Sequence, residues 1–253
     1  MKKKLIEGGF YGILELFTTI LTYLIIPKFF ISKMSMELYG LFLTLTLFSS
    51  YGIIMRLDFG IGGTVTTFTS KYHHTDKEKL QKLWTFSSVY FTFISILAVF
   101  IGLIVIKYYD SKIESKLFYL NISKSVLIPT LIMVWSSFIS YLGDSFLFGF
   151  NNYKYLKGTI ITQNIFKLLI IYVTINISAN FLVIMWALSL LSLLRTSFVI
   201  FYLKKEYSEF IIFKKPLFIE IKEWLKYSFI LAISSITGFI FNSINKILIT
   251  LFL

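Results

Sequence analysis

Cysteine is absent from this 253-residue chain, which excludes a disulfide framework, a thiolate-ligated metal and thiol catalysis. Histidine is nearly absent. Its two copies, His73 and His74, are adjacent, so they lack the i, i+4 spacing of a metal pair and read as solvated loop residues. No phosphate-cradling P-loop occurs, and no hydrolytic or redox constellation. The expectation is therefore a non-enzyme, with no catalytic residue, metal or cofactor. Only three prolines are present, and Pro216, after Lys214-Lys215, marks a turn. Charge is scarce, at 15% of residues, and lopsided, with 25 basic against 13 acidic side chains and a net charge of +12. Such an excess suggests nucleic acid. Here the lysines are divided among the gaps between apolar segments and form no contiguous basic face, so that partner is excluded.

What is abundant is apolar length. Hydrophobic residues make up 57% of the chain and the mean hydropathy is +0.78. A soluble core of this size cannot hide that much apolar surface, so the class is an all-α, polytopic membrane protein whose partner is the lipid bilayer. A crossing needs about 20 mostly apolar residues. Seven segments qualify: Phe10–Ile31, Leu38–Met55, Trp84–Ile106, Val126–Phe148, Thr159–Ile175, Phe181–Leu203 and Tyr227–Leu253. The first follows Met-Lys-Lys-Lys but is too long for a signal-peptide core and lacks a small-x-small cleavage site, so it reads as a retained helix.

Orientation follows from the loop lysines. With the N-terminus in the cytoplasm, fifteen lysines lie inside and five outside, which decides for that topology. Thr75–Leu83 reads as a short surface helix with Leu80 and Leu83 toward the bilayer, and Leu217–Trp224 as a second one. The expected organisation is a six-helix lobe over residues 1–203, a cytoplasmic linker with an amphipathic helix over 204–226, and a seventh membrane helix over 227–253 that opens an incomplete second lobe. A weak internal match supports the last point: Lys4 and Lys28 flank the first helix at the spacing at which Lys222 and Lys246 flank the seventh.

Charges inside the membrane are costly unless paired or hydrated, so they mark function. Lys167 and Arg195 lie deepest, with Glu15, Arg56, Asp58, Asp144, Lys28 and Lys246 nearer the helix ends. Lys28 and Lys246 are explained by snorkelling to the surface. Lys167 and Arg195 must instead pair with Asp144 or Glu15, or line a watered cavity. A cationic cavity favours an anionic group such as phosphate, held by Arg as a fork and by Lys as a point charge. Gln163 and Asn164 add hydrogen-bonding groups on the same helix as Lys167.

The stretch from Arg56 to Lys71 carries Leu57-Asp58-Phe59-Gly60-Ile61-Gly62, a third glycine at Gly63, four threonines and then the basic loop Lys71 to Lys82. Glycine and threonine at this density imply close backbone approach, a local break, or both. Gly60, Gly62 and Gly63 are thus candidate hinge or packing positions, and Arg56 and Asp58 candidate binding residues. The run resembles the end of the second membrane helix in bacterial polysaccharide and O-antigen (Wzx-type) flippases of the MATE/MOP exporter superfamily. The order of hydrophobic segments agrees over the whole chain, at about half the helix number of such transporters.

The resemblance implies the N-terminal half of a flippase of the bacterial inner membrane, serving polysaccharide (O-antigen or capsule) biosynthesis in a shortened form. It implies a polyprenyl-diphosphate-linked oligosaccharide as cargo, passing through a cationic cavity between two lobes, with a polysaccharide polymerase or glycosyltransferases as partner proteins. Lys167, Arg195, Arg56, Asp58, Asp144, Gln163 and Asn164 form the expected substrate-binding set. Two other readings stay open: an ion-coupled multidrug antiporter of the same superfamily, and a non-transporting membrane subunit or remnant. The antiporter would place acids deep in the bundle, and the subunit would neutralise each central cation with a packed partner.

Overall fold

With no water in the hydrocarbon to satisfy a bare backbone, an apolar chain of this kind resolves into helices whose N–H and C=O groups bond internally. The computed structural model describes residues 2–47, 58–108, 124–177 and 180–252. Within them lie eight α-helices and no strand: α1 (Lys2–Lys33), α2 (Met36–Leu47), α3 (Ile61–Tyr72), α4 (Lys77–Tyr108), α5 (Leu127–Gly149), α6 (Tyr153–Ile177), α7 (Phe181–Glu206) and α8 (Phe218–Phe252). Five of them, α1 and α4 to α7, are long and apolar enough to cross a membrane.

Helix α5 is the centre, packed on α7, α4, α3, α6 and α2, while α1 runs along α6. Its sequence suits that place, because Ser136, Ser140, Gly143, Ser145 and Gly149 are small and all buried. In lipid, helices are not driven together by the hydrophobic effect; close approach at small residues and interhelical hydrogen bonds do that work. Ser136 meets the Ser192 hydroxyl at 2.6 Å, and Thr196 donates to the Ser136 carbonyl at 3.0 Å. Large apolar side chains such as Phe93, Phe100, Leu190 and Phe198 point outward, as a bilayer-facing surface requires.

Two apolar clusters close the bundle at opposite ends. One joins Ile61, Leu80, Leu83, Trp84, Phe146 and Trp224. The other joins Ile26, Phe30, Phe42, Ile171, Phe181 and Ile184. The first sits at the end carrying the α3–α4, α5–α6 and α7–α8 connections with their lysines, termed here the basic end.

Four expectations change. Thr75–Leu83 is not a separate surface helix: Asp76 accepts from the Lys79 amide at 2.9 Å, caps α4, and Leu80 and Leu83 are fully buried. Leu217–Trp224 is likewise the start of α8, with Trp224 fully buried against Phe86. A pattern of apolar residues specifies a face, and here that face meets protein rather than lipid. The connection between α7 and α8 therefore covers Tyr207–Leu217, shorter than the expected 204–226. It is pinned to α4 by Gln81 donating to the Glu209 carbonyl at 2.6 Å, the Lys77–Glu209 pair at 2.6 Å, and the Lys214 amide on Thr85 at 2.8 Å. Finally, the stretch expected to resemble the end of the second membrane helix holds a helix that begins at Ile61 inside the bundle, with Ile61, Val65, Phe68 and Tyr72 buried.

A Cβ at Gly149 would lie 2.5 Å from the Thr69 Cβ and 2.8 Å from the Thr66 carbonyl, whereas one at Gly158 would have no neighbour within 4 Å. Gly149→Ala is expected to destabilise the fold by about 1–3 kcal/mol through overpacking of α3 on α5. Gly158→Ala should not destabilise it. Thermal unfolding of the purified variants in detergent checks the difference.

Candidate functional site

Between the two apolar clusters the helices turn polar faces toward one another. On α1, Glu15, Thr19 and Thr22 recur at helical spacing, and on α6 so do Lys157, Asn164 and Lys167. On α5, Ser140 and Asp144 stand one turn apart, and α7 adds Ser192 and Arg195. Positions three and four apart share a helix face, so each stripe aims at one place. They line an open-sided cavity of about 880 Å³.

Arg195 and Asp144 form its best-buried polar contact. Nη2 of Arg195 donates to both carboxylate oxygens, at 2.9 and 2.7 Å, and Nη1 donates to the Ser140 hydroxyl at 2.7 Å. The side chains are 6% and 5% exposed. A second pair, Lys157 with Glu15 at 2.5 Å, bridges α6 and α1. Asn164 strengthens that bridge by donating to the Thr19 hydroxyl at 3.0 Å.

Lys167 has neither. Among the described residues its ammonium makes no ion pair or hydrogen bond, and it lies 5.6 Å from the centre of the Phe42 ring. Lys157, Lys167 and Arg195 thus face two carboxylates, Glu15 and Asp144, within one cavity.

The expected binding set divides on this geometry. Lys167, Arg195, Asp144, Gln163 and Asn164 all line the cavity. Arg56 lies outside the described residues. Asp58 does not line it: its carboxylate accepts the amides of Gly60 at 2.9 Å and Gly62 at 2.7 Å, and the Tyr141 hydroxyl sits against it. Asp58 is the acid that closes the first turn of α3, where unpaired amides favour negative charge.

The adjoining chain breaks at Phe59 (φ 50°) and Gly60 (φ 79°). At Gly60 a side chain would also strike the Ser228 carbonyl of α8. Gly62 leaves room for the Tyr141 ring and Gly63 for Leu231, and both glycines border the cavity. His73 is not a freely solvated loop residue. Its ring packs on Phe150 at 4.9 Å and Phe210 at 5.5 Å. No metal-binding group of three His, Cys, Asp or Glu occurs among the described residues.

The Glu15–Lys157 pair escapes a sequence reading because Lys157 lies in the first turns of α6, beside a connection where charge is cheap, and reads as a loop lysine. A signal was available in the stripe 15, 19, 22 on α1 and in 157, 164, 167 on α6.

No protein-family model and no curated protein sequence matches the chain. Solved structures do. A MOP superfamily transporter from Pyrococcus furiosus, described as having a binding pocket of reverse polarity that suggests a different function, aligns with TM-score 0.63 and 16% identity over 93% of this chain and 53% of that one. The outward-facing structure of a multidrug resistance MATE family transporter of the MOP superfamily aligns with TM-score 0.62 and 15% identity over 93% and 53%. A single-site mutant of a MATE transporter gives 0.62 and 16% over 96% and 56%. The fold is shared with these MATE and MOP superfamily structures. The chain spans about half the length of the structures it matches.

Asp144→Ala and Arg195→Ala are each expected to destabilise the protein by about 3–5 kcal/mol, because each strands a buried charge. The double variant Asp144→Leu with Arg195→Leu should be more stable than either. Unfolding of the three variants and the parent in detergent checks that order.

Proposed function

We propose that this chain is a transporter lobe of a bacterial inner membrane whose cavity takes the anionic diphosphate of a lipid-linked oligosaccharide. The observation that carries the reading is Lys167, a cation in the cavity with no counter-charge among the described residues. An anionic group entering there gains a partner for an ammonium that otherwise has none, which is worth about 1.5–3 kcal/mol for a charged hydrogen bond. Gln163 and the threonine and serine hydroxyls of the lining suit sugar hydroxyls. A solved structure of similar fold is described as having a binding pocket of reverse polarity that suggests a different function, a precedent for varied cavity polarity on this fold.

An ion-coupled antiporter needs a carboxylate ready to take a cation. Asp144 is committed to Arg195 and Glu15 to Lys157. A purely structural subunit would neutralise Lys167 in its packing, and none of the described residues does so. The lysine bias favours the basic end in the cytoplasm, together with the N-terminus. Substrate then passes between this lobe and a second one.

Binding of a fluorescent isoprenyl diphosphate to the purified chain in nanodiscs tests the reading. Lys167→Ala is expected to weaken binding by about tenfold or more, at unchanged fold stability, with affinity falling as salt rises. Equal binding with and without the ammonium, or preference for a lipophilic cation, overturns it. Orientation is checked separately with single cysteines, since the parent has none. Positions 71 and 214 are expected to resist an impermeant thiol reagent added outside intact cells, and position 112 to react.

A further inference from the structure

A second hollow lies on the outer side of the bundle, between α6 and α7, with a volume of about 730 Å³. Its walls are Phe166, Leu191, Leu194 and Phe198, three of which are 47–61% exposed. From Lys154 to Phe166 it follows twelve residues of α6, about 18 Å at 1.5 Å per residue. One leaflet of a hydrocarbon core of about 30 Å is about 15 Å deep. The groove therefore reaches from headgroup level to the bilayer midplane.

Its mouth at the basic end is braced, and among the described residues lining it Lys154 is the one outward charge. Tyr155 stacks on Tyr202 at 3.5 Å with the rings 10° apart, and the Tyr155 hydroxyl donates to the Phe198 carbonyl at 3.0 Å. Asn152 donates to the Tyr202 hydroxyl at 2.9 Å. These groups satisfy one another and hold the groove open. Lys154 is exposed there and makes no ion pair among the described residues. The inner wall is shared with the cavity at Gln163 and Arg195, and Arg195 is already bound to Asp144. Nothing described on that wall draws a charged group inward past the mouth.

We propose that this groove seats one phospholipid with an acidic headgroup, from the leaflet at the basic end. The acyl chain lies along Leu194 and Phe198, and the phosphate, with no quaternary ammonium of its own headgroup to neutralise it, pairs with Lys154. An apolar channel one leaflet long, with Lys154 unpartnered at its mouth among the described residues, is complementary to that molecule along its whole length.

The test uses Leu194→Trp in the groove and Phe93→Trp on the outer face of α4, where Phe93 is 63% exposed. Each is reconstituted in zwitterionic nanodiscs containing a minor fraction of brominated phosphatidylglycerol, which quenches nearby indoles. Quenching at position 194 is expected to saturate at a several-fold lower lipid fraction than at position 93. Adding Lys154→Glu should raise that half-saturating fraction about tenfold at position 194 and leave position 93 unchanged. Equal quenching at the two positions, or equal quenching by brominated phosphatidylcholine at position 194, would reduce the site to bulk lipid and overturn the proposal. Lys167→Ala is expected to change nothing at position 194. A loss there would place the lipid in the cavity instead and overturn it as well.

Discussion

The contact between Arg195 and Asp144 is the constraint on which the bundle depends. Either ion alone in this setting costs several kcal/mol. Together, with Ser140 accepting from Nη1 of the guanidinium, they leave the carboxylate doubly bonded to one nitrogen. That geometry needs α5 and α7 close and in one register. The rest of the seam supplies both. Ser136 faces Ser192, Thr196 donates to the Ser136 carbonyl, and Gly143 admits Val199. The small residues bring the helices together, and the charges then decide which residue faces which.

Once α5 and α7 are locked, the placement of the other polar stripes follows. Helix α1 lies along α6, and the Glu15–Lys157 pair with the Asn164–Thr19 bond fixes their rotation. Both stripes then look toward the α5–α7 seam, because turning either one outward would put its charges in lipid. A cavity is the outcome, bounded above and below by the two apolar clusters. The break at Phe59 and Gly60 belongs to the same logic. It lets α3 begin inside the bundle, with Asp58 satisfying amides that lipid could not.

The apolar segments were legible in the sequence because length and hydropathy alone identify them. Each overlaps a helix of the structure, although the second, Leu38–Met55, runs on past Leu47 outside the described residues. What those signals could not convey is which way a helix is rotated. Leu80 and Leu83 carry a spacing that suits bilayer and core equally, so the pattern alone does not join the buried first turns of α4 and α8 to their helices. Lys167 and Arg195 were legible by depth, and the Arg195 partner was among the two carboxylates expected. That Glu15 goes to Lys157 rather than Lys167 depends on how α1 and α6 face each other, which no single-helix pattern contains. Asp58 looked like a site residue because buried acids are rare. The glycines two and four positions later were the clue to its backbone role, since such spacing is what an acid bonding to a helix's first amides needs.

Asp144 and Glu15, the two carboxylates of the cavity, are both already committed, and that decides its polarity. Asp144 is used by Arg195, Glu15 by Lys157, and Asp58 by the backbone of α3. Each acid is engaged before any solute arrives, so none offers the cavity a net negative site. Among the described cations of the cavity only Lys167 is left over, resting near the Phe42 ring. The electron-rich face of that ring offsets part of the desolvation but cannot neutralise the charge. A charged ammonium at that depth needs water or an anion as its remaining partner. A space of about 880 Å³ whose wall carries Thr19, Ser140, Gln163 and Asn164 among its apolar side chains is ample for water molecules, each of which needs only about two to four polar neighbours to stay. An anionic solute displaces that water and meets a cation at little cost in reorganisation, whereas a cationic one would first have to break an ion pair that holds two helices together.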